Sequence, residues 1–187
     1  MDNLDQQMGE LEELKKLMNQ LESFSTNENT FDTTNFDSLK IKTKFTNSSN
    51  NPDPDYSNVG DSGFDLRAFI SEPITLKPLE RKLIPTGLKF ELSPNTELQV
   101  RPRSGMALKY GISVLNTPGT VDEGYRGEIG IIAVNLSNED YTIQNGERIA
   151  QGVIMNVLGQ SVSELVKTNT LSETERGEDG FGSTGKQ

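Results

Sequence analysis

The 187-residue chain contains no cysteine and no histidine. Without cysteine it has no disulfide framework, no thiolate zinc site and no cysteine nucleophile. Without histidine it lacks the most frequent general base and transition-metal ligand, and a Ser-His-Asp triad cannot be assembled. Any acid–base chemistry therefore falls to a carboxylate, a lysine or a tyrosine, and any metal should be a hard, oxygen-bound ion such as magnesium. No apolar run is long enough to cross a bilayer, and the acidic, polar N-terminus reads as neither a signal nor a transit peptide. The expected setting is cytoplasmic, with no membrane partner. Basic residues are in the minority, 18 Lys+Arg against 28 Asp+Glu, for a formal net charge of −10 at pH 7. A chain of that sign repels nucleic acid in bulk, so no nucleic-acid partner is expected. Local arginines and backbone N–H groups can still hold a small anion.

The length allows one ordinary domain and an appendage. Residues 1–24, "MDNLDQQMGELEELKKLMNQLESF", place Leu4, Leu11, Leu14, Met18 and Leu21 on a heptad seam, interrupted at Gln7. An amphipathic helix is expected there, with its acids early and Lys15 and Lys16 late, as the helix dipole prefers. It is too short to hold alone in water and needs a partner: its own copies, the following domain or another protein. Residues 25–38 are polar and rich in Thr and Asn, and read as a linker. From Leu39 the pattern changes to short alternating stretches, "LKIKTKF", "FDLRAF", "ITL", "RKLIPTGLKFEL", "ELQVR", "ISVL", "EIGIIAVNL", "YTIQ" and "ERIAQGVIM", punctuated by Pro and Gly. Many short strands with regular turns predict an all-β sandwich or jelly roll over 39–170. Only "SGMALKYG" reads as a helical turn. Residues 171–187 are polar and glycine-rich, and read as a mobile arm.

Several irregular stretches are richer than a loop requires. In "RPRSGMALKYG", Arg103, Ser104 and Gly105 open the helical turn; they suit an anion, or simply a capping serine beside a surface arginine. In "NTPGTVDEGYRGE", Asn116 offers a donor and an acceptor, Asp122 a base and Tyr125 a flat face; the same residues also make ordinary turns. Asp65 in "SGFDLRA" sits among apolar neighbours, where a carboxylate needs a partner or a metal unless its strand face is solvated. Arg148 and Gln151 in "GERIAQG" are open to either reading. The terminal "RGEDGFGSTG" joins Arg176, four glycines, two hydroxyls and Phe181, a vocabulary suited to phosphate and a stacked base, though not a Walker A motif.

Taken together, "SGFDLRA", "PRSGMALKYG", "GTVDEGYRGEIG", "GERIAQG" and "RGEDGFGSTG" resemble, in order and spacing, the five motifs of the homotrimeric all-β dUTPases. The resemblance covers about Leu39 to Gly185. It implies a jelly-roll-like subunit, a homotrimer with active sites at the subunit interfaces, and hydrolysis of dUTP to dUMP and pyrophosphate with Mg2+. Such an activity limits uracil in DNA and supplies dUMP for dTMP synthesis. The metal is then held mainly by phosphate oxygens and water, with Asp65 supporting that region from outside the ligand sphere. Arg103, Ser104 and Gly105 are expected at the phosphates from a neighbouring subunit, and Gln151 on the phosphate side. Asn116 and the backbone of Gly119, Thr120 and Val121 are expected to read uracil, with Gly130 nearby. Asp122 is expected to activate the attacking water, and Tyr125 to lie against the sugar and exclude a 2′-hydroxyl. Arg176 is expected at the γ-phosphate, Phe181 over the uracil, and Gly182, Ser183 and Thr184 along the phosphates as the arm closes. The tail departs from the family's Arg-Gly-X-Gly-Gly-Phe-Gly at Asp179, which predicts weaker or more magnesium-dependent closure. Two alternatives share the fold: a dCTP deaminase, and a nucleotide-dependent regulatory protein that signals through the N-terminal extension.

Overall fold

The computed structural model describes residues 41–159 and 161–180. The helix expected over 1–24, the linker over 25–38 and the tail residues Phe181, Gly182, Ser183 and Thr184 lie outside them. The described chain is built of short strands: β1 (Lys44–Asn47), β2 (Phe64–Arg67), β3 (Ile74–Leu76), β4 (Arg81–Pro85), β5 (Leu88–Glu91) and β6 (Thr96–Arg101). A single helical segment, α1 (Ser104–Tyr110), precedes β7 (Ile112–Val114), β8 (Gly119–Val121), β9 (Gly130–Asn135), β10 (Tyr141–Ile143) and β11 (Arg148–Asn156). No described helix is long and apolar enough to cross a membrane.

The strands pair antiparallel throughout, in a four-stranded sheet ordered β2-β11-β6-β8, a three-stranded sheet β4-β9-β7, and the pairs β1-β5 and β10-β3. Most neighbours are distant in sequence, as in a jelly roll. Period-2 alternation decides which side chains enter the core. In β6, Thr96, Leu98 and Val100 are buried while Glu97, Gln99 and Arg101 are not, and β5 buries Leu88 and Phe90 in the same way. Leu66, Leu76, Ile84, Leu98, Ile112, Ile129, Ile131 and Ile143 are fully buried, each worth about 1.5–3 kcal/mol of burial. Asn135, also fully buried, is satisfied on both ends: Nδ2 donates to the carbonyls of Leu76 (2.8 Å) and Glu139 (2.7 Å), and Oδ1 accepts from the Ser137 amide at 2.9 Å.

Three boundaries differ from the sequence expectation. The strand read in "LKIKTKF" starts only at Lys44 and runs on to Asn47, because β1 exists where β5 pairs with it and not where the sequence alternates. "RKLIPTGLKFEL" is two strands in different sheets, broken at Thr86–Gly87, where Gly87 takes φ +72°. Gly119–Val121, read as part of a turn, is a strand held by non-local pairing with β6. The strands end at Asn156, and the described residues beyond it form turns and irregular chain.

Candidate active site

In β2, alternation buries Phe64 and Leu66 and turns Asp65 and Arg67 to the opposite face. Cross-strand pairing then aligns Asp65, Gln151 and Arg101 in one row across β2, β11 and β6. Asp65 is the centre of a charged network. One carboxylate oxygen takes Arg103 Nε at 2.8 Å and the other takes Arg148 Nη1 at 3.1 Å. Arg103 Nη1 also donates to the Arg148 carbonyl at 3.0 Å. Gln151 Nε2 donates to the Pro102 carbonyl at 2.9 Å, which ties β11 to the chain entering α1. Ser104 is the first residue of α1, and the capping position is held by Arg103 with no side-chain cap hydrogen bond. The capping-serine reading is therefore incorrect, and Arg103 is not a loose surface residue. A Cβ on Gly105 would meet nothing within 4 Å. These groups line a polar cavity of about 430 Å³ that also includes Ser57, Asn58, Asp61, Ser62 and Gly63.

A second cavity, of about 200 Å³, is lined by Thr120, Val121, Asp122, Tyr125, Glu128, Ile129 and Gly130. It is formed by β8, the loop after it and the start of β9. The loop begins with a turn in which the Tyr125 amide donates to the Asp122 carbonyl at 3.0 Å. Charged side chains brace it: Glu123 accepts from the Asn95 amide at 2.8 Å, and Arg126 Nη1 caps the carbonyls of Glu123 (2.6 Å) and Tyr125 (3.0 Å). Glu128 accepts from the amides of Thr86 (3.1 Å) and Gly87 (2.7 Å). Asp122 and Tyr125 are both solvent-exposed at the rim.

The sequence-derived candidates thus fall into two groups. Asp65, Arg103, Ser104, Gly105 and Gln151 meet in the first cavity, and Thr120, Val121, Asp122, Tyr125 and Gly130 in the second. Gly119 is buried in β8, and Asn116 folds over it: its Nδ2 lies 3.2 Å from where a Gly119 Cβ would stand. Neither is among the residues lining these two cavities. Arg176 also stands apart, in an exposed turn where its Nε donates to the Asp179 carbonyl at 3.0 Å. Sequence reasoning left Arg148, Gly63 and the loop Ser57–Ser62 without a role in the first cavity. Of these, Arg148 carried a signal through its place in "GERIAQG", and Ser62 and Gly63 through theirs in "SGFDLRA"; residues 57–61 carried none. No described cluster of three or more His, Asp or Glu side chains could hold a metal. The Asp65 carboxylate is already engaged by two guanidinium groups. That donor set fits a hard cation carried on the oxygens of a polyphosphate better than one caged by protein.

The chain is similar to known proteins of one name. Deoxyuridine 5′-triphosphate nucleotidohydrolase of Clostridium novyi is 59% identical over 132 residues, covering 71% of this chain and 89% of the relative. The enzyme of that name from Cytophaga hutchinsonii is 53% identical over 148 residues, covering 79% and 94%. Among solved structures, the Staphylococcus bacteriophage 80alpha dUTPase with dUPNHPP superposes with a TM-score of 0.69 at 26% identity, covering 78% of this chain and 99% of that one. The sequence model of the dUTPase family matches residues 49–185, a span that takes in both cavities and the glycine-rich tail, and the chain belongs to that family.

Proposed function

We propose that the chain hydrolyses dUTP to dUMP and pyrophosphate at sites shared between the copies of a homotrimer. The observation that carries this reading is the sorting of the motif residues into a guanidinium-rich cavity and a separate nucleoside-sized cavity. The relatives that cover most of the chain bear the name of that activity.

Water must attack the α-phosphorus in line with the leaving pyrophosphate, so catalysis is mostly positioning and charge neutralisation. Asp122 takes the proton of the attacking water, the role that a histidine-free chain leaves to a carboxylate. Tyr125 lies against the deoxyribose, and the backbone of Gly119, Thr120 and Val121, with Asn116 and Gly130, reads uracil. Arg103, Ser104, Gly105 and Gln151 hold the phosphates, and Asp65 keeps Arg103 oriented towards them. Mg2+ bound to the triphosphate would neutralise its charge, held by phosphate oxygens and water and supported by Asp65 through the arginines. Arg176, Phe181, Gly182, Ser183 and Thr184 close over the nucleotide as the 171–187 arm and exclude water.

The order of the sheet supports a shared site. Asp65 lies on one edge strand of β2-β11-β6-β8 and Thr120 on the other, three strand spacings or roughly 14 Å apart. The outer face of β4-β9-β7 also carries an apolar row, Leu83 opposite Ile132 and Leu115 bonded beside it, with Leu83 66% and Leu115 50% exposed. Such a row suits burial against another copy.

The test is pyrophosphate release with Mg2+ from dUTP, dCTP, dTTP and UTP in parallel. Cleavage of dUTP alone is expected, with Asp122→Asn lowering kcat by about 10²–10⁴-fold while dUTP still binds. Equal cleavage of all four nucleotides overturns the reading. A second reading has one observation in its favour: the phage 80alpha dUTPase is described as controlling transfer of virulence genes by a G protein-like mechanism. A partner captured only with dUTP bound, and only when residues 1–38 are present, would support it here.

A further inference from the structure

We propose that Gly127 and Glu128 form a clamp that fixes the Tyr125 ring and thereby sets discrimination against ribonucleotides; this rests on the reading of Tyr125 as the residue against the sugar. The ring is 47% exposed at the rim of its cavity. An exposed tyrosine left to itself changes rotamer on the nanosecond scale. A yielding pocket rejects one added hydroxyl by only about 10²-fold or less, so a ring that excludes a 2′-hydroxyl must not give way.

Two contacts hold this ring, and a set of hydrogen bonds holds the residue that receives it. The Tyr125 hydroxyl donates to the Glu128 carbonyl at 3.0 Å, folding the side chain back over its own loop. The phenol then occupies the space where Gly127 would carry a Cβ: that atom would collide with the hydroxyl and Cζ and lie 2.9 Å from Cε2. Gly127 is not among the glycines with positive φ. Its backbone does not demand glycine, whereas the phenol does. The accepting carbonyl is itself immobilised. Glu128 Oε1 takes the Gly87 amide at 2.7 Å and the Thr86 amide at 3.1 Å, and buried Thr86 donates its hydroxyl to the Ile129 carbonyl at 2.7 Å. The residue that receives the phenol is thus bolted to the corner between β4 and β5.

Both amides reach the same oxygen of Glu128, so the carbonyl oxygen of a glutamine can replace it and alanine cannot. The experiment measures kcat/KM for dUTP and for UTP in the wild type, Gly127→Ala, Glu128→Ala, Glu128→Gln and Tyr125→Phe, with thermal unfolding of each. The dUTP-to-UTP ratio is expected to fall by about tenfold or more in Gly127→Ala and Glu128→Ala, and less in Tyr125→Phe, which keeps the ring and loses its anchor. Glu128→Gln is expected to stay within about threefold of wild type. A merely structural role would lower Tm and slow both nucleotides alike; unchanged ratios in a wild type that prefers dUTP overturn the clamp alone. A wild type that splits dUTP and UTP equally overturns the sugar reading and the clamp with it. Should Glu128→Ala fail to fold, Gly127→Ala and Tyr125→Phe decide the matter.

Discussion

Asp65 shows how one carboxylate among 28 acids acquires a task. It lies between two guanidinium groups, about a quarter exposed, and its removal would leave Arg103 and Arg148 facing each other without a counter-charge. Asp65→Ala is therefore expected to cost about 1–2 kcal/mol in unfolding experiments and to raise the KM for dUTP by roughly tenfold. Kinetics that leave KM untouched would separate the ion-pair network from nucleotide binding. The sequence made Asp65 a candidate, because a carboxylate between apolar neighbours needs a partner. It did not identify Arg148 as that partner, since the two meet only when β2 pairs with β11 across 83 positions. The sequence marked Asp122 and Tyr125 as candidates, and the structure places both at one cavity, but the braces that hold their loop were not legible. Glu123, Arg126 and Glu128 look like solvated charge until their amide and carbonyl partners are seen.

Elements followed the alternation of the sequence where a strand had a partner to pair with. β2, β5 and β6 bury the residues that the period of two selects. Where pairing is non-local and the run is short, as in β8, propensity carried no signal. The helix α1 ends as its sequence asks: Gly111 adopts φ +67°, and a Cβ there would lie 2.9 Å from the Ser137 amide nitrogen. Gly111→Ala is expected to lower stability by about 1–3 kcal/mol, read from the urea midpoint. The β10–β11 connection carries a pH-dependent contact. Burial, and then a hydrogen bond to the Glu147 carboxylate, push the Tyr141 phenol well above its usual range. The folded state thus favours the neutral phenol, and this contribution is complete below pH 10 and declines as the pH rises beyond it. An alkaline unfolding series should show that decline in the wild type and lose it in Tyr141→Phe. Identical alkaline profiles for the two proteins would refute it.

For the whole molecule, the decisive question is whether one chain or several make a site. If the two cavities act in different subunits, Arg103→Ala and Asp122→Asn are each inactive alone, yet mixing them and allowing subunit exchange restores some turnover. In a mixed trimer, sites then exist that combine an intact Arg103 from one chain with an intact Asp122 from another. No recovery on mixing, with exchange verified, would place both halves in one chain. The apolar row on β4-β9-β7 belongs to the same question. Leu83→Asp sets a charge opposite Ile132 and beside Gly130 of the second cavity. If this face packs against another copy in the proposed trimer, the substitution is expected to shift the sedimenting mass from three chains to one and to abolish turnover, because a buried unpaired charge costs several kcal/mol at each interface.

The sequence by itself determined the chemistry available to this protein and the class of its fold. The absence of histidine and cysteine leaves any acid–base step to a carboxylate, a lysine or a tyrosine, and the short alternating runs between Pro and Gly allow little other than strands. The five ordered motifs carried the family, because each is local and can be read without knowing its neighbours in space. The tertiary structure alone decided which motifs meet. Strand pairing brings Asp65 to Arg148 and Gln151, and sends the Asp122–Tyr125 loop to the other edge of the same sheet. It also decided that Gly127 is needed for a phenol and not for a turn. The reason is physical: alternation reports which face a side chain takes, whereas register and sheet order report which distant side chain lies beside it, and only the packed core selects among registers.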